Sequence, residues 1–545
     1  MKKAVLALVR RFSAVMSTSA HETEPEQPSL VAQFQETQAA AERGDARAQF
    51  DLGVMYDYGR GVAQDPAQAA HWFHKAADQG DAKAQCNLGV SYFRGQGVVK
   101  DDAQAACWFR KAAEQGHAFA QASLGVLYCE GQGVAQDHAQ GVFWFRQAAH
   151  QGHVSAQFSL GESYSEGLGV VRDHVQAVHW YRKAADQGNA LAQFSLGQCY
   201  NEGQGVAQDD VEAVHWTRKA AEQGHVSAQF NLGQSYMEGR GVDQDHAHAA
   251  HWTRKAAEQG IADAQYNLGV MYDNGSGVVQ DDVQAAYWTR KAAEQGHVSA
   301  QFNLGQSYDA GKGVARDRAR AAHWYEKAAD RGVAYAQFNL GMLYYRGEGV
   351  VRDHAQAAHW LRKAADQGDA RAQVNLGVSY DEGLGVTQDS MHAAHWFRRA
   401  ADQGNAQAQF NLGSMYENGR GVAQDPAQAA HWFRKAADQG HAEAQFNLGV
   451  MFMYDGDDDV AEDYAHAASW FRKAADQGHA EAQFNLGSLY DEGEGVDQDH
   501  AQAAHWYRKA ANQGHRAARE ALEEAGVLRS GIPGMSMTVR IDGIA

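Results

Sequence analysis

The chain has 545 residues, 48 of them Lys or Arg and 67 Asp or Glu, for a net charge of −19 with histidine neutral. No basic stripe is available to meet phosphates, which argues against a nucleic-acid partner, and no apolar stretch is long enough to span a bilayer. Charging all 27 histidines would move the balance to −19 + 27 = +8, so acidification should alter the surface field strongly.

In chain order, Lys2 and Lys3 precede an apolar run, residues 4–9, that Arg10 and Arg11 cut short of a normal signal core. Residues 1–29 therefore read as a targeting segment or a mis-started region plus a polar linker, with Met16 as a second candidate start. The expected compartment is the cytoplasm, with the periplasm or secretion as the alternative. Residues 30–44 predict a solitary N-terminal capping helix, since its end, Ala39-Ala40-Ala41-Glu42-Arg43-Gly44, echoes a motif that recurs down the chain.

From Asp45 the sequence repeats with a period of 36. The stretch DARAQFDLGVMYDYGRGVAQDPAQAAHWFHKAADQG (45–80) begins thirteen copies ending at Gly514, and only the twelfth, 441–478, is two residues longer. A sustained period of this size marks a repeat array. With Asp45 as position 1, positions 2–14 predict a helix, because Ala48, Leu52 and Tyr56 form a helical apolar stripe that Phe50 widens. Gly53, mid-helix, should cost about 1 kcal/mol against Ala, a cost that close helix approach would explain. Gly59-x-Gly61-Val62 is the turn. Asp65 reads as the N-cap of a second helix, with Pro66 at its first position and Gln68 completing a capping box. That helix carries Ala69, Trp72, Phe73 and Ala76 on one face, and Gly80 stops it. One hairpin cannot bury its apolar face alone, so the hairpins must stack. The expected fold is all-α, a solenoid of thirteen helix-turn-helix repeats with half-repeat caps.

The string carried by Ala48, Gln49, Leu52, Gly53, Tyr56, Gly59, Gly61, Val62, Asp65, Trp72, Lys75, Ala76, Ala77 and Gly80 resembles the Sel-1-like repeat family, relatives of tetratricopeptide proteins, over about 470 residues. The resemblance implies a right-handed superhelical scaffold that holds other proteins together. Some members of that family act in membrane-protein quality control, and bacterial ones in signalling or host interaction. Some are credited with hydrolysing cell-wall or β-lactam substrates, which is the rival activity to test.

Catalytic motifs are absent: there is no H-E-x-x-H, G-x-S-x-G, P-loop or C-x-x-C. The protein is expected not to be an enzyme and to need no cofactor. Cys86, Cys107, Cys129 and Cys199 share no repeat phase and read as small core residues. Nine copies carry His before the Trp, from His71 to His505, but rungs about 10 Å apart cannot share one metal. Pairs three apart (His71/His74, His248/His251, His392/His395) could share an ion or act as a pH sensor; the simpler reading is solvated histidines. In the twelfth repeat Asp455, Asp457, Asp458 and Asp459 replace the turn, either a solvated acidic loop or a weak cation site without EF-hand spacing. The thirteen tryptophans, one per repeat at one phase, read as inter-repeat core.

Binding is expected on the concave face, lined by first helices. Positions 3, 7, 10, 11 and 14 are expected to point away from the Leu–Tyr stripe. Position 7 is Asn231, Asn267, Asn303, Asn339, Asn375, Asn411, Asn447 and Asn485 in eight successive repeats, with Asn87 earlier. Side-chain amides could pair with the backbone of an extended peptide whatever its sequence, or could brace neighbouring repeats. Position 14 supplies Glu130, Glu166, Glu202 and Glu238, an acidic segment suited to a basic peptide, or simply a solvated face. The expected function is a monomeric scaffold for protein or peptide partners. Residues 515–526 predict a closing cap helix and 527–545 a loosely ordered tail.

Overall fold

A computed structural model describes residues 30–454 and 460–524. The expectations for residues 1–29, for the acidic loop 455–459 and for the tail 527–545 lie outside the described residues. The described residues form 28 helices and no strand, an all-α solenoid of consecutive hairpins. They fall into two compact units, residues 1–281 and 282–545. The first unit begins with a helix at Leu30–Glu42, continues through six hairpins, and ends with the first helix of a seventh, Ala262–Asn274. The second begins with a second helix, Asp282–Glu294, holds six more hairpins, and ends with Arg516–Glu524.

In the founding hairpin the helices are Ala46–Tyr58 and Pro66–Asp78. Gly59 closes the first helix in the left-handed conformation at φ 68°. Asp65 caps the second, its Oδ1 accepting from the N–H groups of Ala67 and Gln68 at 2.9 and 3.0 Å. The reciprocal half of a capping box is not made: the Asp65 N–H is donated to Tyr56 O at 3.0 Å, tying the cap to the end of the preceding helix.

The close approach foreseen at Gly53 is explicit. A Cβ there would stand 2.6 Å from Cδ1 of Phe73 on the partner helix. The second turn glycine does more than turn. A Cβ on Gly97 would lie 1.9 Å from the carbonyl oxygen of Pro66, the first residue of the previous repeat's second helix. Among the described residues, each Gly-x-Gly turn thus sits directly on the backbone near the start of the helix preceding its hairpin.

The core is shared between repeats. Phe73 and Ala76 pack with Ala84 and Leu88 of the next repeat's first helix and with its Trp108, which places the tryptophan row in inter-repeat packing. Burying Phe73 or Leu88 contributes roughly 1.5–3 kcal/mol each. Cys86, Cys129 and Cys199 are buried, whereas Cys107 is exposed and is no core residue. It stands at position 27, the phase where most copies carry the outward-facing His.

Position 1 plays a part the sequence reading overlooked. Asp81 closes the helix before it, its N–H bonding Ala76 O at 3.1 Å while Gly80 N–H bonds Ala77 O, a Schellman closure. Its side chain then caps the helix after it, accepting from Ala84 N–H at 2.8 Å. Asn189 and Asn405 cap in the same way. So do His117, His153, His225, His297, His441, His479 and His515, each through Nδ1. Among the described residues at position 1, Ile261 and Val333 leave the helix start without a side-chain cap.

Position 5 is a buried glutamine throughout. Gln49 donates from Nε2 to Ala41 O of the preceding helix at 3.1 Å and accepts at Oε1 from Gln79 (position 35) at 2.8 Å. The ladder recurs at Gln85/Gln115, Gln121/Gln151 and Gln157/Gln187. On the opposite edge an arginine of one repeat bonds the next repeat's Tyr hydroxyl, as in Arg110–Tyr128 at 2.8 Å and Arg290–Tyr308 at 3.1 Å. In the twelfth repeat the second helix, Val460–Asp476, is 17 residues long against 13 elsewhere. Gly495 still contacts the backbone of Tyr464, so the extra turn lies upstream of the stacking point.

Candidate partner-binding face

Successive residues of a helix are about 100° apart, so positions 3, 7, 10 and 14 cluster opposite the buried Leu and Ala of each first helix. Position 11 does not join them. It falls three residues after the core leucine, about 60° from it, and is buried as Leu127, Ser163, Met271, Ser379 and Met415. The buried hydroxyls are satisfied locally: Ser379 Oγ donates to Asn375 O at 3.0 Å and Ser163 Oγ to Ser159 O at 2.9 Å.

The position-7 asparagines are all half-buried. Asn231 and Asn267 lie in the first unit; Asn303, Asn339, Asn375, Asn411, Asn447 and Asn485 lie in the second. Three amides are engaged. Asn375 donates to Arg371 O at 2.8 Å, Asn411 accepts from Gln407 at 2.9 Å, and Asn339 is bonded to the Tyr325 hydroxyl. The amides of Asn231, Asn267, Asn303, Asn447 and Asn485 make no hydrogen bond among the described residues. Asn87 is half-buried as well.

Of the acidic row, Glu130 is half-buried and Glu166, Glu202 and Glu238 are exposed. Glu238 pairs with Arg240 at 2.8 Å and Glu202 accepts from Gln204 at 2.7 Å. The structure adds Glu162, at position 10 and four residues before Glu166. One of its carboxylate oxygens is covered and has no hydrogen-bond partner among the described residues. Burial raises its pKa, and the charge of Glu166 raises it further. Below it the Tyr181 hydroxyl is pushed up by its own burial and by Glu162. The i, i+4 repetition of Glu was the readable signal, since like charges so placed repel.

The histidines at position 27, from His71 to His505, are exposed and stand edge-on to the adjacent tryptophan, as His359 does to Trp360 at 5.1 Å. In each three-apart pair one member is held by a carboxylate. His74 bonds Asp78 at 2.9 Å, His248 bonds Asp245 at 2.7 Å, and His392 bonds Asp389 at 2.8 Å. His392 also stacks on Tyr380 at 5.1 Å, in a crevice of ≈ 500 Å³ that Arg362, Met391, His395 and Trp396 complete. None of the described helices is long and apolar enough to cross a membrane.

Comparison with known proteins agrees with this geometry. The family model of the Sel1 repeat matches thirteen segments in unbroken succession, from 46–81 through the longer 442–479 to 480–515. Among solved structures, the chain is similar to c5321, a protective antigen present in uropathogenic Escherichia coli strains and displaying an SLR fold. The two are 40% identical, the match covers 83% of this chain and 97% of that one, and the TM-score is 0.67. A Sel1 repeat protein from Oxalobacter formigenes is 35% identical over 58% of this chain and 93% of that one, with a TM-score of 0.48. Among curated proteins none matches.

Proposed function

Because this chain belongs to the Sel1 repeat family, whose members generally mediate protein–protein interactions, we propose that it is an adaptor holding protein or peptide partners on the concave face of its first helices. The observation that carries this reading is the recurrence, repeat after repeat, of one half-exposed first-helix face whose amides at Asn231, Asn267, Asn303, Asn447 and Asn485 are unspent. An amide with a donor and an acceptor can pair with an extended backbone without reading its sequence. In the first unit Glu130, Glu166, Glu202 and Glu238, joined by Glu162, give that face a negative field that favours basic segments. The adaptor acts as a monomer, without catalysis or cofactor, in the cytoplasm.

The test is binding of a fluorescent Lys-rich extended peptide to the full chain, against a Glu-rich peptide of equal length. Neutralising all four glutamates (Glu130→Gln, Glu166→Gln, Glu202→Gln, Glu238→Gln) should weaken the Lys-rich peptide about tenfold, from four solvent-accessible charges at roughly 0.3–0.5 kcal/mol each. High salt should do the same. Equal affinity for both peptides, or affinity indifferent to salt and to the substitutions, would refute the steering role. Asn303→Ala with Asn447→Ala and Asn485→Ala should weaken both peptides alike.

A further inference from the structure

A histidine that caps a helix through Nδ1 must keep that nitrogen unprotonated. Nδ1 of His153 accepts from Ala156 N–H at 3.2 Å, and Nδ1 of His225 from Ala228 N–H at 3.2 Å. Protonation would turn each acceptor into a donor facing another donor, and would place a cation at the positive end of a helix. The same residues close the helix before them, since His153 N–H bonds Ala148 O and His225 N–H bonds Ala220 O, both at 3.1 Å. Their rings also meet the preceding repeat: His225 stacks on Phe194 at 4.5 Å, and His153 stands edge-on to Phe119 at 6.2 Å. One imidazole therefore joins two helices and two repeats.

We propose that these capping histidines are acid-labile latches between repeats, and that acidification opens the His153 and His225 junctions of the first unit before the His479 and His515 junctions of the second. The difference lies in the group facing the other ring nitrogen. Nε2 of His479 is 3.0 Å from Glu443 Oε2, and Nε2 of His515 is 2.8 Å from Glu481 Oε2, while the rings stack on Phe446 and Phe484. Those carboxylates give the second ring nitrogen an acceptor that no contact among the described residues supplies at His153 or His225. At His153 the neighbouring titratable group is His117, itself a cap, and its charge opposes protonation. His117 in turn faces Lys83 and Asp81. At His225 the contacts are Phe194 and the helix start, and desolvation alone disfavours the charged form. His441 is intermediate, with Gln407 at 3.3 Å from Nε2 and Glu443 nearby.

The sign comes from linkage. Burial lowers the pKa of His153 from 6.5 to about 4, and that of His225 below its ordinary value. The open state then binds the extra proton, so the stabilisation is complete above 6.5 and is lost as pH falls from there toward the folded-state pKa. The latch is independent of any ligand on the first-helix face.

Hydrogen exchange on the full chain tests it, with intrinsic rates corrected for pH. Between pH 6.5 and 5 the opening constant of the helix Val154–Glu166 should rise about fifteenfold in all, the uptake on opening growing from half a proton toward one. The rise in Ala480–Glu492 should be smaller. His153→Asn should keep protection at pH 7.5, as Asn189 already caps at this position, and should flatten the response of that helix. An independent reading is the imidazole Cε1–H titration of His153, identified by its disappearance in His153→Asn. A midpoint near 4 supports the latch. A midpoint at or above 6.5, an acid response that survives in His153→Asn, or equal acid lability after His479 would each overturn it.

Discussion

Replacing Arg331 by Gln should stabilise the eighth repeat. Position 35 is a glutamine in the surrounding repeats, where its Nε2 reaches the buried Oε1 of position 5; Gln367 bonds Gln337 at 2.7 Å and Gln403 bonds Gln373 at 2.8 Å. In the eighth repeat Gln301 still donates to Ala293 O at 3.2 Å, but Arg331 occupies position 35 and Gln301 Oε1 is buried without a partner. An unsatisfied buried acceptor costs about 1–3 kcal/mol, and a neutral hydrogen bond contributes about 0.5–1.5 kcal/mol net. Arg331 is exposed, so little packing is lost with it. The expected gain is about 1–2 kcal/mol. A long array does not unfold as one two-state unit, so the measurement should be local. Exchange of the amides in Val298–Ala310 should slow roughly 5- to 30-fold in Arg331→Gln, at about 1.4 kcal/mol per decade. The converse, Gln187→Ala, orphans Gln157 Oε1, which now accepts at 2.7 Å, and should accelerate exchange in Val154–Glu166 by a comparable factor. If both substitutions leave exchange unchanged, the ladder has no energetic role and the reasoning fails.

Val333→Asn should add the cap that the helix Ala334–Arg346 lacks, stabilising it by about 1 kcal/mol and slowing exchange in its first turn; no change would mean that the backbone there is already satisfied by water. Gly413→Ala should destabilise by about 1–3 kcal/mol through overpacking, because its Cβ would stand 2.7 Å from the Phe433 ring. Gly341→Ala meets Leu361 Cγ at 3.0 Å, and a gain in helix propensity of about 1 kcal/mol offsets most of that crowding. Thermal melts of the two variants should therefore differ clearly, and equal losses would refute the aromatic-contact account.

How much could be read from the sequence depended on whether a residue's role lay inside one repeat or between two. The hairpin was legible because its signals are local: the Leu52–Tyr56 stripe, the left-handed Gly59 and the Asp65 cap all act within one copy. Gly61 and Gln49 looked like an ordinary turn residue and an ordinary polar residue, yet both act on the preceding helix. Gly61 lies against the backbone of Leu30, and Gln49 is buried against Ala41 O. Recurrence of a polar residue three positions before the core leucine was the available signal, since on a helix that separation places it beside the buried stripe. Histidine misled for a related reason. The conspicuous row at position 27 is solvated, whereas the histidines at position 1 are hidden among Asp and Asn that do the same work. Interchange of Asp, Asn and His at one phase is intelligible only as a demand for a side-chain acceptor at a helix start. That same demand sets the histidine copies apart, because His153 and His225 cap through a ring nitrogen whose protonation would remove the acceptor.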